Sequence, residues 1–283
     1  MKKKILVPTD FSVNARNALN YAMNLYKGVE CRFYLLNSYK LPFHNRSELT
    51  NSDPSSHSFE NEKDQSIKGL KRLEKEAKSL MISDLHSFET ISMLDDTLSA
   101  MKKVIAEKDI SIVVMGTKGS SNYRHKAFGS NTINAMEHIR NCPLLGIPMD
   151  VEYNGISEIA FPTNFKMDYK ASELKHLNDI IAKSSSNLKI VYVSAAQEFS
   201  DYQKERKRLL SEILEDVNVD FETINDGNVT NGLVKFLNNN KIDMVSIINR
   251  KHNVFSKLFS SNLTSRLGMF SKIPLLILHD HAD

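Results

Sequence analysis

Short, continuously apolar runs punctuate this chain, among them "ILVP" at 5–8, "IVVM" at 112–115 and "PLLG" at 143–146. Strands covered by helices on both sheet faces carry that pattern, because neither set of alternating side chains meets water. Between the runs the apolar period changes. After Ser12, a suitable N-cap, Ala15, Ala18, Leu19, Ala22 and Met23 recur at helical spacing and define one inward face. "CRFYLLNS" and "SFETISM" read as further strands, while "IKGLKRLEKEAKSLM", "TLSAMKKVIAEKD" and "INAMEHIRN" read as helices. The order is β-α-β-α-β-α-β-α-β. Strands separated by helices require right-handed parallel crossovers with helices on both faces, so the fold class is α/β, doubly wound.

The pattern then runs a second time. Residues 4–11 read "KILVPTDF" and residues 158–165 read "EIAFPTNF"; "NCPLLGIP" near Pro143 is answered by "KIPLLILH" near Pro274, and "FGSN" at 128–131 by "FSSN" at 259–262. Start motifs lie 154 positions apart and end motifs 131, so the second copy is the shorter one. The difference maps to residues 41–66, rich in Ser, Asn and charge, with little apolar periodicity. That composition predicts a long mobile loop leading into a helix. The boundary between copies falls near Asp150 to Gly155, which predicts two tandem domains, 1–150 and 151–283.

Composition narrows the function classes. The 283 residues are 41% hydrophobic and 25% charged, with a net charge of only +3, which argues against a nucleic-acid binder and its concentrated basic face. The N-terminal apolar run breaks at Pro8-Thr9-Asp10, too soon for a signal-peptide core, and no run approaches a membrane span. Cys31 and Cys142 are the only cysteines, at unrelated spacing, and read as reduced core thiols. The expectation is a cytoplasmic protein with no membrane or nucleic-acid partner.

Candidate chemistry concentrates in one place. Ligands of a doubly wound sheet bind beyond the carboxyl ends of the strands where strand order reverses. For a five-stranded unit of order 3-2-1-4-5, strands 1 and 4 are neighbours at that switch. The first ends at Pro8-Thr9-Asp10 and the fourth at Met115-Gly116, so both stretches converge on one crevice. Gly116 and Gly119 allow a sharp turn and a close main-chain approach. Gly129, Ser130 and Asn131 sit where the next helix begins, and its unpaired amides suit a phosphate. Lys118, Arg124, His125 and Lys126 lie in or beside the intervening loop, where they could screen negative charge. A nucleotide polyphosphate meets these demands; a plain structural turn is the competing reading. Asp10 likewise reads either as a ligand contact or as a turn residue before the helix.

The pattern Gly116-x2-Gly119-x9-Gly129-Ser130, between an "IVVMGT" strand and a helix ending in "NCPLLGIP", resembles the ATP-binding signature of the universal stress protein family. The opening "ILVPTDFSVNARNAL" is similar to that family's first strand and turn, and the resemblance spans the chain as a tandem of two such domains. It implies two flavodoxin-like (Rossmann-like) domains and a stress-responsive, usually dimeric nucleotide-binding protein without established turnover. Carried over, Pro8, Thr9 and Asp10 line the adenine and ribose side, and Ser38 with Asn37 meets the adenine. Met115, Gly116, Gly119, Gly129, Ser130 and Asn131 hold ribose and phosphates. An arginine often follows the second glycine in the family; here that place is Ser120. Asp10 beside a triphosphate calls for a hard cation, so ATP is expected with Mg²⁺ or Mn²⁺. The family dimer suggests that the two last strands, "PLLGIP" and "PLLILHD", meet about a pseudo-twofold axis; a homodimer of whole chains is a further expectation.

The second copy lacks this machinery. Ile248 stands at the place of Gly116, Lys251 or His252 at that of Gly119, Ser260 at that of Gly129 and Asn164 at that of Asp10. The β-branched Ile248 would fill the ligand's space, and side chains at Ile248 and Ser260 would restrict the positive-φ conformations that glycine permits. Three functions remain in play: ATP binding without efficient turnover, with the second copy a pseudo-site used for pairing; slow ATP hydrolysis, for which Asp10 and His125 are the nearby candidates; and a scaffold that binds no nucleotide.

Overall fold

The computed structural model describes residues 2–40, 54–80, 82–118, 128–195, 198–249, 270 and 272–279, with backbone alone for 54–59. Its first five strands are β1 (Lys3–Pro8), β2 (Cys31–Tyr39), β3 (His86–Leu94), β4 (Ile112–Gly116) and β5 (Leu144–Ile147). The helices between them are α1 (Val13–Leu25), α2 (Pro54–Ser79), α3 (Thr97–Lys108) and α4 (Ser130–His138). The second series runs β6 (Glu158–Pro162), α5 (Ala171–Ser184), β7 (Asn187–Ser194), α6 (Asp201–Ile213), β8 (Val219–Asn225), α7 (Val229–Asn239), β9 (Met244–Asn249) and β10 (Leu275–His279).

Helix starts follow the local chemistry. Ser12 Oγ accepts from Ala15 N at 3.2 Å, and Asp96 Oδ1 accepts from Ser99 N at 3.1 Å, each satisfying an amide that has no partner within its own helix. One expectation fails. The stretch 41–66 is not a loop throughout, because α2 already begins at Pro54; residues 41–53 lie outside the described residues. The buried stripe of α2 is Ser66, Leu70, Leu73 and Ala77, so its first inward position is polar and hides the period. Residues 60–65, just upstream, are exposed or half-buried, and Gln65 Nε2 donates to Asn61 Oδ1 at 3.2 Å, so this stretch shows no apolar period.

All strands belong to one ten-stranded sheet of order β3-β2-β1-β4-β5-β10-β9-β6-β7-β8. Each half has the expected five-strand order, with parallel pairing throughout. Where two sheets were expected, they join at an antiparallel pair: Leu144, Leu145 and Gly146 face Ile277, Leu276 and Leu275. Without that pairing both strands would be bare apolar edges. Two hydrophobic layers run through both halves. One packs α1, α2, α5 and α6 on the sheet; the other packs α3, α4 and α7. Asn17 Nδ2 holds the connection between halves through the carbonyls of Val151 (2.8 Å) and Pro148 (3.1 Å). On the opposite face, Arg140 donates to the Asn249 carbonyl at 2.9 Å and Asn249 Nδ2 to the Met136 carbonyl at 2.7 Å. Cys31 and Cys142 are buried free thiols, pushed up to about 11 and about 12 by loss of hydration. Among the described residues no helix is long and apolar enough to cross a membrane.

Candidate functional site

The turn after β1 is built by its own side chains. Thr9 Oγ1 accepts from Phe11 N at 3.0 Å, and Asp10 Oδ1 accepts from Ser12 N at 3.0 Å. Phe11 is thereby held at φ 62°, a conformation rare for a bulky residue. Asn37 Nδ2, at the end of β2, donates to the Thr9 carbonyl at 2.7 Å and locks the turn to the neighbouring strand. The second half repeats the device: Thr163 accepts from Phe165 N at 3.2 Å, Asn164 from Lys166 N at 2.9 Å, and Phe165 has φ 52°. Pro-Thr-Asx-Phe is therefore first a turn motif, and that turn sets Asp10 at the cavity wall in an exposed position.

Gly116 ends β4, and a Cβ there would lie 2.7 Å from Cγ and Nδ2 of Asn14 and 3.0 Å from the Asn14 carbonyl carbon. The glycine is needed because the first turn of α1 presses on the strand end. Positive φ is not the reason. Among the described glycines only Gly28 and Gly155 have it, and Gly129 sits at an ordinary φ of −74°. The expectation that side chains at these places are barred by φ is corrected accordingly. Asn14 is buried; its Nδ2 donates to the Lys118 carbonyl at 3.0 Å, while its Oδ1 has no partner. Across the loop, Gly129 N donates to the Thr117 carbonyl at 2.7 Å, and Thr132 Oγ1 donates to the Gly116 carbonyl at 3.0 Å. Gly129 offers no side chain to cap α4, so the first turn of that helix has no side-chain cap from it.

These elements enclose a cavity of about 210 Å³. Pro8, Thr9 and Asp10 line it from β1, Ser38 and Asn37 from β2, Met115 and Gly116 from β4, and Gly129, Ser130 and Asn131 from α4. Gly119, Ser120, Arg124, His125 and Lys126 lie outside the described residues. Leu36 and Met115 supply apolar wall, and Lys118 is the cation among the described lining residues. Such a space offers apolar wall for a planar base and an uncapped helix start with a lysine for an anion. Asp10 is the carboxylate among the described lining residues, and no group of three His, Cys, Asp or Glu able to hold a metal occurs among the described residues. A divalent ion here would depend on phosphate oxygens for most of its ligands.

Thr97, the first residue of α3, was not expected here. Its Oγ1 accepts from Ser38 Oγ at 3.0 Å and it lines the cavity. The available signal was Asp96 as a cap after the third strand, but that strand lies two places from the switch. A second cavity of about 700 Å³, between the first turn, the end of β2 and α2, shares Asp10, Asn37 and Ser38 with the first.

Strand register identifies the counterparts in the second half. Gly116 pairs with Ile147 and Ile248 with Leu278, at matching places in β5 and β10. Pro8 pairs with Leu36 and Pro162 with Val191, so Tyr192 and Val193 occupy the places of Asn37 and Ser38. The helix also begins later. Val13 opens α1 two residues after Phe11, whereas Ala171 opens α5 six residues after Phe165. The segment at the place of the first turn of α1 is therefore not helical before Ala171. Tyr169, in that unwound segment, is buried and its hydroxyl bonds Thr163 Oγ1. Ser260 and Lys251 or His252 lie outside the described residues.

The fold has known relatives. A universal stress protein from Archaeoglobus fulgidus DSM 4304 is 14% identical, with a TM-score of 0.67 over 98% of this chain and 96% of its own. A functionally unknown protein from Pseudomonas aeruginosa PAO1 is 15% identical, with a TM-score of 0.61 over 98% and 92%. At such identities the likeness is one of fold. No curated protein matches the sequence. The model of the universal stress protein family matches residues 1–148, and with that match covering more than half its length, the chain belongs to the universal stress protein family.

Proposed function

We propose that this chain is a stress-response nucleotide-binding protein that holds ATP, with Mg²⁺ or Mn²⁺, in the cavity of its first domain (1–150) without efficient turnover. The observation that carries the reading is the cavity itself: strand ends β1, β2 and β4 and the uncapped start of α4 meet around one space with an apolar wall and a lysine. The second domain (151–283) is a pseudo-site. Ile248, Tyr192 and Val193 at the places of Gly116, Asn37 and Ser38 support this, because each replaces a small or hydrogen-bonding group by apolar or aromatic bulk. Its role is pairing about a pseudo-twofold axis, for which the β5–β10 junction is the support. Holding is favoured over hydrolysis by Asp10, whose Oδ1 already accepts from Ser12 N and serves the turn.

Calorimetric titration of the full chain tests the proposal. ATP is expected to bind at one site per chain, more weakly in the presence of a chelator, and to be lost in Gly129→Ile. Two equivalent sites per chain would refute the pseudo-site, and no heat at millimolar ATP would refute the nucleotide reading. Product formed under single-turnover conditions at the rate of an ordinary ATPase would overturn binding without turnover.

A further inference from the structure

The second cavity adjoins the first at Asp10, Asn37 and Ser38 but is not lined by the start of α4. It lies on the far side of Asp10, Asn37 and Ser38 from Gly129, Ser130 and Lys118, which line the first cavity alone. With phosphates at the start of α4, it therefore opens on the nucleoside end. Lys40, Lys68 and Arg72 line it, against the carboxylates of Asp10 and Glu62. Among the described residues, two of these cations have loose partners: Lys68 Nζ is 3.5 Å from Asp64 and Arg72 Nε 3.9 Å from Glu76. Exposed pairs at such distances contribute little, so a phosphate entering the cavity displaces them at small cost and gains shorter, charge-assisted bonds.

The two halves treat this space differently. In the second, the ring of Phe165 meets Tyr192 at 5.7 Å, Phe199 at 5.5 Å and Phe221 at 6.4 Å, so aromatic rings fill the region between turn and helix. In the first, Phe11 instead packs onto Gly69 of α2, where an added Cβ would lie 2.5 Å from the ring. Asn37 stands where the second half has Tyr192, and the space beside it stays open. The open space and the cations occur in the half that carries the glycine-loop pattern.

We propose that the second cavity receives an additional anionic group on the nucleoside side, so that the preferred ligand is an adenine nucleotide bearing a second phosphate on its ribose. The inference rests on the nucleotide reading above. The test is titration of the full chain with AMP, adenosine 3′,5′-bisphosphate and adenosine 2′,5′-bisphosphate, beside the double variant Lys68→Ala/Arg72→Ala. One bisphosphate is expected to bind about tenfold more tightly than AMP, as charge-assisted contacts to two cations allow. The double variant should erase that gain and leave AMP affinity within about twofold, since neither side chain lines the first cavity. AMP binding with no gain for either bisphosphate, or a gain that survives in the double variant, overturns this inference and leaves the nucleotide reading standing. Failure of AMP and ATP alike to bind removes both.

Discussion

Replacing Gly116 by alanine puts the account of the β4 end to a quantitative test. The new methyl would sit 2.7 Å from two side-chain atoms of Asn14 and 3.0 Å from its carbonyl carbon, closer than carbon atoms pack. Relief requires the Asn14 side chain to swing off the Lys118 carbonyl or the start of α1 to move, and α1 is anchored by the buried Ala15, Ala18, Leu19 and Ala22. Overpacking of this kind costs about 1–3 kcal/mol. Alanine recovers roughly 0.5–1 kcal/mol of that through the stiffer unfolded chain. The expected net loss is thus about 1–2 kcal/mol, read as a lower urea midpoint at unchanged slope. Two of the three close contacts vanish in an Asn14→Ala background, so there the same substitution should cost about half as much, a coupling of roughly 0.5–1 kcal/mol in a double-mutant cycle. If the two substitutions add within about 0.3 kcal/mol, the glycine is not there to make room for Asn14.

Further expectations concern other parts of the molecule. Gly69→Ala should displace the Phe11 ring and lower stability by about 1 kcal/mol, and Phe11→Ala in the same chain should remove that increment; an unchanged melt in Gly69→Ala would contradict the packing. Ser246 is fully buried with no partner for its hydroxyl among the described residues, so Ser246→Ala should stabilise by about 1 kcal/mol in urea unfolding, and a loss of stability would mean that the hydroxyl is bonded. Burial lowers the pKa of His86 below the usual 6.5, outweighing its contact with the Tyr26 carbonyl. The unfolded chain then binds a proton that the folded one does not, so stability should decline as pH falls below 6.5, with a shallower decline in His86→Gln. Both cysteines should resist a thiol reagent at pH 8 in the native protein and react fully in denaturant, because their thiols are pushed up to about 11 and about 12.

Much of this arrangement was legible beforehand, for reasons that differ by element. The runs that became β1, β4 and β5 have no polar face, and strands buried on both sides leave no other pattern. Ser12 and the apolar stripe behind it declared α1. Proximity of Pro8-Thr9-Asp10 to Met115-Gly116 followed from strand order alone. What escaped notice depends on contacts between distant segments. Asn14, in a first helical turn, looks like any solvated asparagine until Gly116 is seen against it. Thr97 enters the cavity through its bond with Ser38, which no local pattern encodes. The start of α2 was hidden because residues 60–65 are polar and show no apolar period. That the two last strands meet was an expectation of the family resemblance; that they pair antiparallel and close one ten-stranded sheet was not, because two short apolar strands show no partner in their own sequence.

The seam at Leu144–Gly146 and Leu275–Ile277 also changes what substitution can do to this molecule. A twofold assembly of identical chains carries each replacement twice, so a change that spoils one crevice spoils both. Covalent fusion breaks that bond between the copies. One repeat is free to trade its glycine for Ile248 and delay its helix to Ala171, while its sibling keeps Gly116 beneath Asn14 and an open crevice. Asymmetry of this kind lets a single polypeptide carry two differently shaped strand-end regions on one continuous sheet.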